Sequence, residues 1–408
     1  MNIVTYATPF FLLAILLELG WGLLKKNNTF RVSDSLNSLN LGMISTLNKI
    51  VFINIGGLVF VSIEQEFSMS ILNIESVWHW VFAILVYDFC YYWFHRISHE
   101  RQIFWGAHVV HHQSEEYNLT TALRQTSTGF IVTWIFFIPC FLLGMPVYMY
   151  VTIASGHLVY QFWIHSRHIP KLGIFESFMI TPSNHRVHHA QNAQYVDKNY
   201  GGLLVIWDRL FGTYAEEDEK EEIIYGLRTP LVSWNPLWAN LHIYVNMVKD
   251  AWRTKKFSDK IAILWSPTGW RPADVAQQYP NKKTDLSDFQ KYGPQLNRQE
   301  NILLLSQYFL LLMFFSWFML NLAELSYQAK FSNIVIMTLT AIVIGAISDK
   351  RPYVLAIELV RVMVILAVLI IAYSGQYPSQ WVQLGSVYLI CSFTFTMLGL
   401  RQNRALIA

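Results

Sequence analysis

Residues 77–99 read VWHWVFAILVYDFCYYWFHRISH, an apolar run that ends in two histidines four positions apart. A helix that crosses a bilayer needs about 20 mostly apolar residues, and this run approaches that length. Residues four apart lie on one face of a helix, so the imidazoles of His95 and His99 are expected to lie side by side. The stretch therefore predicts a membrane helix that presents two histidines at its end.

The composition of the whole chain favours the same environment. Of its 408 residues, 53% are hydrophobic and only 14% are charged, whereas a soluble domain carries roughly 25% charged residues. A net charge of +3 gives no reason to expect a nucleic acid partner. Cys90, Cys140 and Cys391 are far apart in apolar stretches, which predicts neither a disulfide framework nor a thiolate zinc site.

Several other apolar stretches approach the length of a membrane span. With the run already quoted, the candidates are 3–24, 47–62, 77–94, 129–143, 147–164, 302–322, 334–347, 354–373 and 381–400. The first has no basic region before it and no small-residue cleavage site after it, which predicts a retained helix rather than a signal peptide. The sequence thus predicts an all-α fold, a polytopic membrane helical bundle.

The distribution of basic residues predicts the orientation. Lys25, Lys26 and Arg31 follow the first span, whereas residues 51–94 contain no Lys or Arg. Cytosolic loops are enriched in these residues. We therefore expect the polar segment 167–291 and all the histidine clusters to face the cytosol.

The same features divide the chain into four predicted segments. Residues 1–75 form membrane anchor helices, and residues 76–230 carry the histidines and form the catalytic domain. Residues 231–300 form a polar cytosolic or interfacial segment, and residues 301–408 form C-terminal transmembrane helices.

The histidines are clustered in a way that favours metal binding. The chain has 13, and the clusters are an HxxxH motif (His95, His99) and two HxxHH motifs (His108, His111, His112 and His185, His188, His189). Single histidines at positions 157, 165 and 168 lie between the clusters. Imidazole is neutral near pH 7 and binds iron, zinc or copper. Eight or nine such ligands exceed what one tetrahedral zinc can use, which predicts two metals.

The isolated histidines fit simpler structural roles. A lone histidine at a membrane interface usually packs or reaches towards the head groups, which is our interpretation of His79 and His242. His157 and His168 fit metal binding and plain packing equally well. The clusters are different because each follows an apolar span, where ionisable residues are functional candidates. Together they would form a polar metal site at the ends of apolar helices. A lipid tail could reach this site without leaving the bilayer.

The order of these motifs carries a resemblance. HxxxH, HxxHH, a lone histidine and a second HxxHH resemble the fatty acid hydroxylase / sterol desaturase superfamily of membrane di-iron enzymes. Within it, the alkylglycerol monooxygenase subfamily is similar in WGAHVVHHQSEEYNLTTALRQ at 105–125, YQFWIH at 160–165, TPSNHRVHH at 181–189, DKNYGG at 197–202 and IWDRLFGT at 206–213. One departure is Asn184, where that subfamily tends to place a further histidine.

The resemblance implies roles for particular residues. The metal ligands it implies are His95, His99, His108, His111, His112, His165, His185, His188 and His189. Glu100 matches a catalytic carboxylate. Arg124 and Asn118 are implied cofactor-binding residues, Arg124 for a polar head group or a pterin. Glu115, Glu116, Asn118 and Asp208 are candidates to accept hydrogen bonds from ligating imidazoles.

The resemblance also implies an activity. It is that of an oxygen-dependent monooxygenase with two irons per chain, acting on a lipid in the bilayer. Hydroxylation of the ether-bearing carbon of an alkylglycerol would give a hemiacetal that collapses to an aldehyde and glycerol, with tetrahydrobiopterin as electron donor.

Alternatives remain open at this stage. One is a sterol, fatty-acid or carotenoid hydroxylase or desaturase that takes electrons from a separate protein. Another is a metal-binding transporter, although transporters place polar residues near the bilayer midplane rather than at span ends on one side. A zinc hydrolase is disfavoured because the chain has no HExxH motif.

Overall fold

The structure, a computed structural model, describes residues 3–51, 55–281, 283–376 and 379–402. Within these ranges the chain forms α-helices, short 3₁₀ segments and a π-helical segment at Ala372–Gln376, and its few β-bridges are isolated pairs outside any strand. The prediction of an all-α fold is therefore confirmed.

The helices divide between two compact units. The first, here called the histidine unit, comprises Met1–Arg31, Phe52–Leu231 and Asn240–Lys291. The second, here called the C-terminal unit, comprises Val32–Val51, Val232–Ala239 and Tyr292–Ala408. The four segments expected from the sequence have different boundaries and stay a prediction.

The histidine unit contains most of the helices. They are α1 (Ile3–Leu24), α3 (Ile55–Glu66), α4 (Val77–Glu100), α5 (Gln102–Gly106), α6 (Val109–His112), α7 (Leu119–Ala122), α8 (Ile138–Leu142), α9 (Val147–Trp163), α10 (Pro182–His188), α11 (Ile206–Leu210), α13 (Phe257–Trp265) and α14 (Ala273–Gln278). Helix α12 (Pro236–Arg253) begins in the C-terminal unit and continues into this one. The C-terminal unit adds α2 (Val32–Val51), α15 (Arg298–Leu320), α16 (Tyr327–Ser348), α17 (Val354–Ile371) and α18 (Ser379–Gln402).

Helix α4 is central to the histidine unit. It packs against α5, α8 and α9, and α1 packs against α9 through the stacked rings of Phe11 and Phe162, 4.1 Å apart. Buried apolar side chains such as Phe141 and Met149 fill the space beside α4. This packing fixes the C-terminal ends of α4 and α9, which lead into the histidine-bearing segments.

The C-terminal unit is built around α16, which packs against α2, α15 and α17. A fully buried ion pair joins Arg361 to Glu358 on α17, with the nearest atoms 2.5 Å apart. The same guanidinium donates to the hydroxyls of Thr340 and Ser392. Because the donors and acceptors of this polar group are matched, the unit can bury two charges in an apolar bundle.

Among the described residues, four helices are long and apolar enough to cross a membrane: Tyr6–Leu24, Arg298–Leu320, Tyr327–Ser348 and Val354–Ser374. Each coincides with a predicted span, and together they indicate a multi-pass membrane protein. A fifth would be added if Val32–Val51 and Gly56–Glu66 formed one span. The predicted span 47–62 runs across residues 52–54, which lie outside the described residues.

In the described part of the chain, the remaining predicted spans do not form helices that are both long and apolar enough to cross a membrane. Residues 129–143 form two 3₁₀ segments, Gly129–Ile131 and Thr133–Phe137, followed by the short helix α8, rather than one spanning helix. The chain then turns at Gly144, whose φ of +85° suits glycine, and a Cβ there would lie 2.7 Å from the Cα of Ser70. Residues 129–143 therefore form a short helical segment that packs beside α3, and not a bilayer-length helix.

Candidate metal centre

The structure brings the nine predicted ligands together in two groups. The five-histidine group consists of His95, His99, His108, His112 and His188, and the four-histidine group of His111, His165, His185 and His189. Within each group one ring nitrogen of every histidine lies within 4.8 Å of the others, and all nine side chains are buried. Histidines far apart in sequence thus converge on two points.

The helix ends explain this convergence. His95 and His99 lie one turn apart at the end of α4, and His165 follows the end of α9. Helix α10, which carries the second HxxHH motif, begins with a capping box between Thr181 and Asn184 and has Pro182 in its first turn. Asn184, the departure from the subfamily pattern, therefore orients the helix that carries His185.

Each HxxHH motif contributes to both groups. In the first motif His108 and His112 join the five-histidine group, while His111 joins the four-histidine group. In the second motif His188 joins the five-histidine group, while His185 and His189 join the four-histidine group. The two groups are therefore built from shared segments and cannot be positioned independently.

The hydrogen bonds of His111 and His165 test whether the groups suit a metal ion. The Nδ1 atoms lie 3.1 Å from the carbonyl oxygen of Arg124 and 2.7 Å from that of Gln161, respectively. A carbonyl only accepts, so each Nδ1 carries the proton and each Nε2 of a neutral ring presents a lone pair. These two Nε2 atoms are 3.1 Å apart, and burial lowers the pKa of His111 to about 4. Two neutral acceptors facing one another fit a bound cation.

The five-histidine group has the same character. The Nδ1 of His95 lies 2.7 Å from the carbonyl of Tyr200, and that of His188 lies 3.0 Å from the carbonyl of Lys198. Among the described residues, the buried Nε2 atoms of His188 and His99 have no hydrogen-bond partner. Burial also lowers the pKa of His188 well below its ordinary value. Neutral rings held by backbone acceptors, with free Nε2 atoms inside the group, are typical of metal ligands.

Comparison with known proteins gives the family to which this chain belongs. The family model described as fatty acid hydroxylase matches residues 80–213. Alkylglycerol monooxygenase of Homo sapiens is 36% identical over 366 residues, which cover 88% of this chain and 81% of the relative. The chain belongs to the fatty acid hydroxylase family.

Two further relatives define the range of this similarity. Alkylglycerol monooxygenase of Danio rerio is 35% identical, with 89% of this chain and 81% of the relative covered. The ornithine lipid hydroxylase of Rhizobium tropici is 28% identical over 33% of this chain and 41% of the relative. No solved structure matches. The chain is thus an oxidoreductase, a lipid monooxygenase of an iron-dependent family whose two histidine groups can hold metal.

Asp208 supports a ligand of this fatty acid hydroxylase indirectly. It is fully buried and accepts hydrogen bonds from the backbone N–H groups of Tyr200 and Gly201, at 2.7 and 2.8 Å, and from the hydroxyl of Thr213. Burial raises the pKa of Asp208 to about 6. Because the Tyr200 carbonyl receives the proton of His95, Asp208 fixes this imidazole through the backbone rather than by direct contact.

Asp88 was missed by the sequence analysis. Its fully buried carboxylate on α4 accepts from His157 Nε2 at 2.8 Å, from the N–H groups of Leu203 and Leu204 at 2.9 and 3.1 Å, and from Trp207 Nε1 at 2.9 Å. A lone carboxylate within an apolar run was the signal that could have identified it.

His157 lies outside both histidine groups, although the sequence left its role open. Its Nε2 contacts Asp88, and its Nδ1 lies 2.5 Å from the side-chain nitrogen of Gln161. The carbonyl of Gln161 in turn receives the Nδ1 proton of His165. His157 therefore belongs to the packing that supports His165. His168 also lies outside both groups.

The other predicted site residues have defined contacts. Glu100 lies outside both groups, is one-third exposed, and pairs with Arg96 at 2.8 Å. Asn118 caps α7 and donates to the carbonyl of Thr29 at 2.7 Å. Arg124 is buried and donates to the carbonyl of Val110 at 2.8 Å. The catalytic role of Glu100 and the cofactor roles of Asn118 and Arg124 stay predictions.

The two acidic residues after the first HxxHH motif, Glu115 and Glu116, are also buried. Glu116 pairs with Lys291 at 2.7 Å and with Arg31 at 3.3 Å, and Arg31 also lies 3.9 Å from Glu115. These ion pairs join the segment after His112 to two distant parts of the chain. The suggested hydrogen bonds from imidazoles to these carboxylates stay a prediction.

Proposed function

We propose that this fatty acid hydroxylase binds two irons, one in each histidine group, and uses O₂ to hydroxylate a lipid. The observation that carries the proposal is the pair of acceptor Nε2 atoms of His111 and His165, 3.1 Å apart, in a group separate from the five other ligands. Five and four imidazoles would be suitable ligand sets for two metal ions.

The residues of the chain have definite tasks in this reaction. Iron held by the two histidine groups would supply the activation of O₂ that oxidation of an unactivated C–H bond requires. Backbone carbonyls, including that of Tyr200, hold the imidazoles in one tautomer and orientation. The burial of all nine rings excludes water, so that the oxidising reaction is directed to the substrate.

The proposed substrate is an alkylglycerol and the proposed electron donor is tetrahydrobiopterin. Support comes from the alkylglycerol monooxygenases of Homo sapiens and Danio rerio, which match over most of their length. Oxygen insertion at the ether-bearing carbon gives a hemiacetal, which collapses to a fatty aldehyde and glycerol. This carbon lies next to the polar head of the lipid, where a histidine centre that follows apolar helices can reach it.

The reaction is tested with 1-O-alkylglycerol supplied to membranes that contain the protein. We expect aldehyde release that requires both O₂ and tetrahydrobiopterin, measured by trapping the aldehyde and mass spectrometry. Membranes with the His111→Ala variant are the matched control. Oxidation of sterols or acyl chains with a ferredoxin donor, while ether lipids stay unchanged, would contradict the proposed substrate and donor. It would not contradict the proposed metal centre.

The metal content is tested on protein purified without oxygen and loaded with iron. We expect about two irons per chain, because each histidine group has enough ligands to hold its own ion. Elemental analysis against quantitative amino-acid analysis gives the ratio. One iron per chain in fully active protein would contradict the proposal.

We also propose that the histidine centre faces the cytosol, because basic residues follow the first span. A cysteine at exposed Lys220 should react with an impermeant maleimide only in permeabilised cells, and a cysteine at exposed Glu66 should react in intact cells. Both variants are made with Cys391→Ser, since Cys90 and Cys140 are buried. The reverse labelling pattern would place the centre on the opposite side.

A further inference from the structure

Two stacked tyrosines extend outward from the four-histidine group. Tyr117 is fully buried, and its ring stacks on that of His165 with the centroids 5.6 Å apart and lies 5.2 Å from the ring of His189. Tyr225 stacks on the other side of Tyr117, with a centroid distance of 4.8 Å and an interplanar angle of 11°. Aromatic rings are therefore in continuous contact from the histidines to Tyr225.

Tyr225 lies in the wall of an open cavity of about 500 Å³. The charged residues and the histidine of the wall are Arg167, His168, Lys171, Arg186, Glu217, Glu219, Glu221 and Glu222. Cavities of roughly 300–1,000 Å³ are typical of small-molecule sites. The aromatic stack thus joins the buried histidine group to a cavity of a size that suits a small organic ligand.

The charges of the cavity wall are only partly neutralised. Arg186 pairs with Glu217 at 2.7 Å, and Lys171 pairs with Glu216 at 2.8 Å. The guanidinium of Arg167 lies 5.8 Å from the centroid of the Tyr225 ring, and in the described part of the chain no carboxylate lies within ion-pair distance of it. A cation beside an aromatic ring is available for a planar ligand with carbonyl or anionic groups.

The proposed reaction requires electrons from outside the chain. One oxygen atom enters the C–H bond, and the other leaves as water after two electrons and two protons have been supplied. The sequence has no recognisable electron-carrier domain, so a separate donor must bind close enough for electrons to reach the buried histidines. Electron tunnelling slows steeply with distance and is faster through packed atoms than across a gap.

We propose that this cavity binds a small planar two-electron donor, a reduced nitrogen heteroaromatic, and that the Tyr117–Tyr225 stack conducts its electrons to the four-histidine group. The inference rests on the proposed monooxygenase function and locates its donor site. The donor is oxidised by two electrons and releases two protons, which balance those consumed when water forms. The size of the cavity and the mixed charges of its wall favour a small molecule over a protein donor.

The contacts of Tyr117 indicate how the stack conducts. Its hydroxyl donates to the carbonyl of Ile164 at 3.0 Å. A backbone carbonyl is not a base that can take the phenolic proton, so a tyrosyl radical is not stabilised there. The rings therefore mediate single-step electron tunnelling, and neither tyrosine is itself oxidised as a hopping intermediate. Replacement of either tyrosine by phenylalanine should therefore preserve the rate of electron transfer, whereas replacement by an aliphatic side chain should lower it.

The electron route is tested by flash photolysis of iron-loaded protein. A ruthenium photosensitiser is attached to a cysteine at exposed Glu219, in the Cys391→Ser background, and the absorbance of the ferric centre reports its reduction. We expect Tyr225→Leu to slow the reduction about tenfold and Tyr225→Phe to leave it close to the parent rate. Equal rates in Tyr225→Leu and the parent would overturn the route, and a slow Tyr225→Phe would overturn the bridge mechanism.

The donor site is tested without iron. Biopterin is titrated into metal-free protein, and its fluorescence reports binding. We expect Arg167→Ala to weaken binding about tenfold, as for loss of one charge-assisted contact, while Lys220→Ala leaves the affinity unchanged. Absence of binding, or reduction of the iron by a ferredoxin alone, would overturn the site. Aldehyde formation by parent protein reduced with dithionite tests the proposed function separately, since dithionite replaces the donor.

Discussion

Replacement of His165 by alanine is expected to abolish lipid oxidation and to remove iron from the four-histidine group. His165 lies between two other members of the group, with its Nε2 3.1 Å from that of His111 and 3.0 Å from that of His185. Its loss leaves three ligands and a void in a buried site. Every turnover requires the iron that His165 helps to hold. We therefore expect activity to fall at least about a thousandfold, as when catalytic groups are removed from other enzymes.

His168→Ala is the matched control for iron binding, because it lies three residues away and outside both groups. Since His168 also lines the proposed donor cavity, it is not used as a control for activity. Its buried Nε2 has no hydrogen-bond partner among the described residues, so the substitution removes no bond from that atom. His79→Ala, at a histidine that accepts a hydrogen bond from the N–H of Asn73, is a second control. Activity and iron content are measured in all three. Similar losses of iron in His165→Ala and His168→Ala, or of activity in His165→Ala and His79→Ala, would show that membership of the group does not determine function.

The ligand set could be predicted from the sequence because spacing carries the information. The i, i+4 pair His95 and His99 requires only a helix to bring its rings together, and the two HxxHH motifs repeat the signal. The division between the groups could not be predicted. It depends on how α6 and α10 face one another, so that His111 is separated from His108 and His112. That choice is made by tertiary packing.

The supporting residues were harder to predict for the same reason. The imidazoles of His95 and His111 are held by main-chain carbonyls of Tyr200 and Arg124, and every residue has a carbonyl, so no residue type marks these partners. Asp208 was identified by resemblance, but its contact with the backbone of Tyr200 was not. Hydropathy likewise marked 129–143 as apolar without revealing that it folds as short helical pieces that do not reach the length of a span.

Asp88→Ala is expected to destabilise the fold of the histidine unit and to reduce iron binding with it. The carboxylate accepts four hydrogen bonds, from His157, from the N–H groups of Leu203 and Leu204, and from Trp207. Each buried donor left without an acceptor costs about 1–3 kcal/mol. The sum is at least about 4 kcal/mol, a large part of the 5–15 kcal/mol that stabilises a typical domain.

The loss should reach the metal centre because the chain that follows Tyr200, including Leu203 and Leu204, is held by this carboxylate. We expect a lower midpoint of thermal unfolding in detergent, followed by tryptophan fluorescence, and a lower iron content. Asp88→Asn should be intermediate, since its amide oxygen still accepts while its NH₂ group faces donors. Glu75→Ala, at an exposed carboxylate on the N-terminal side of α4, should unfold like the parent. An Asp88→Ala protein with the parent's unfolding midpoint and full iron content would contradict this prediction. It would show that the hydrogen bonds of the Asp88 carboxylate are not needed to hold the 203–207 segment against α4.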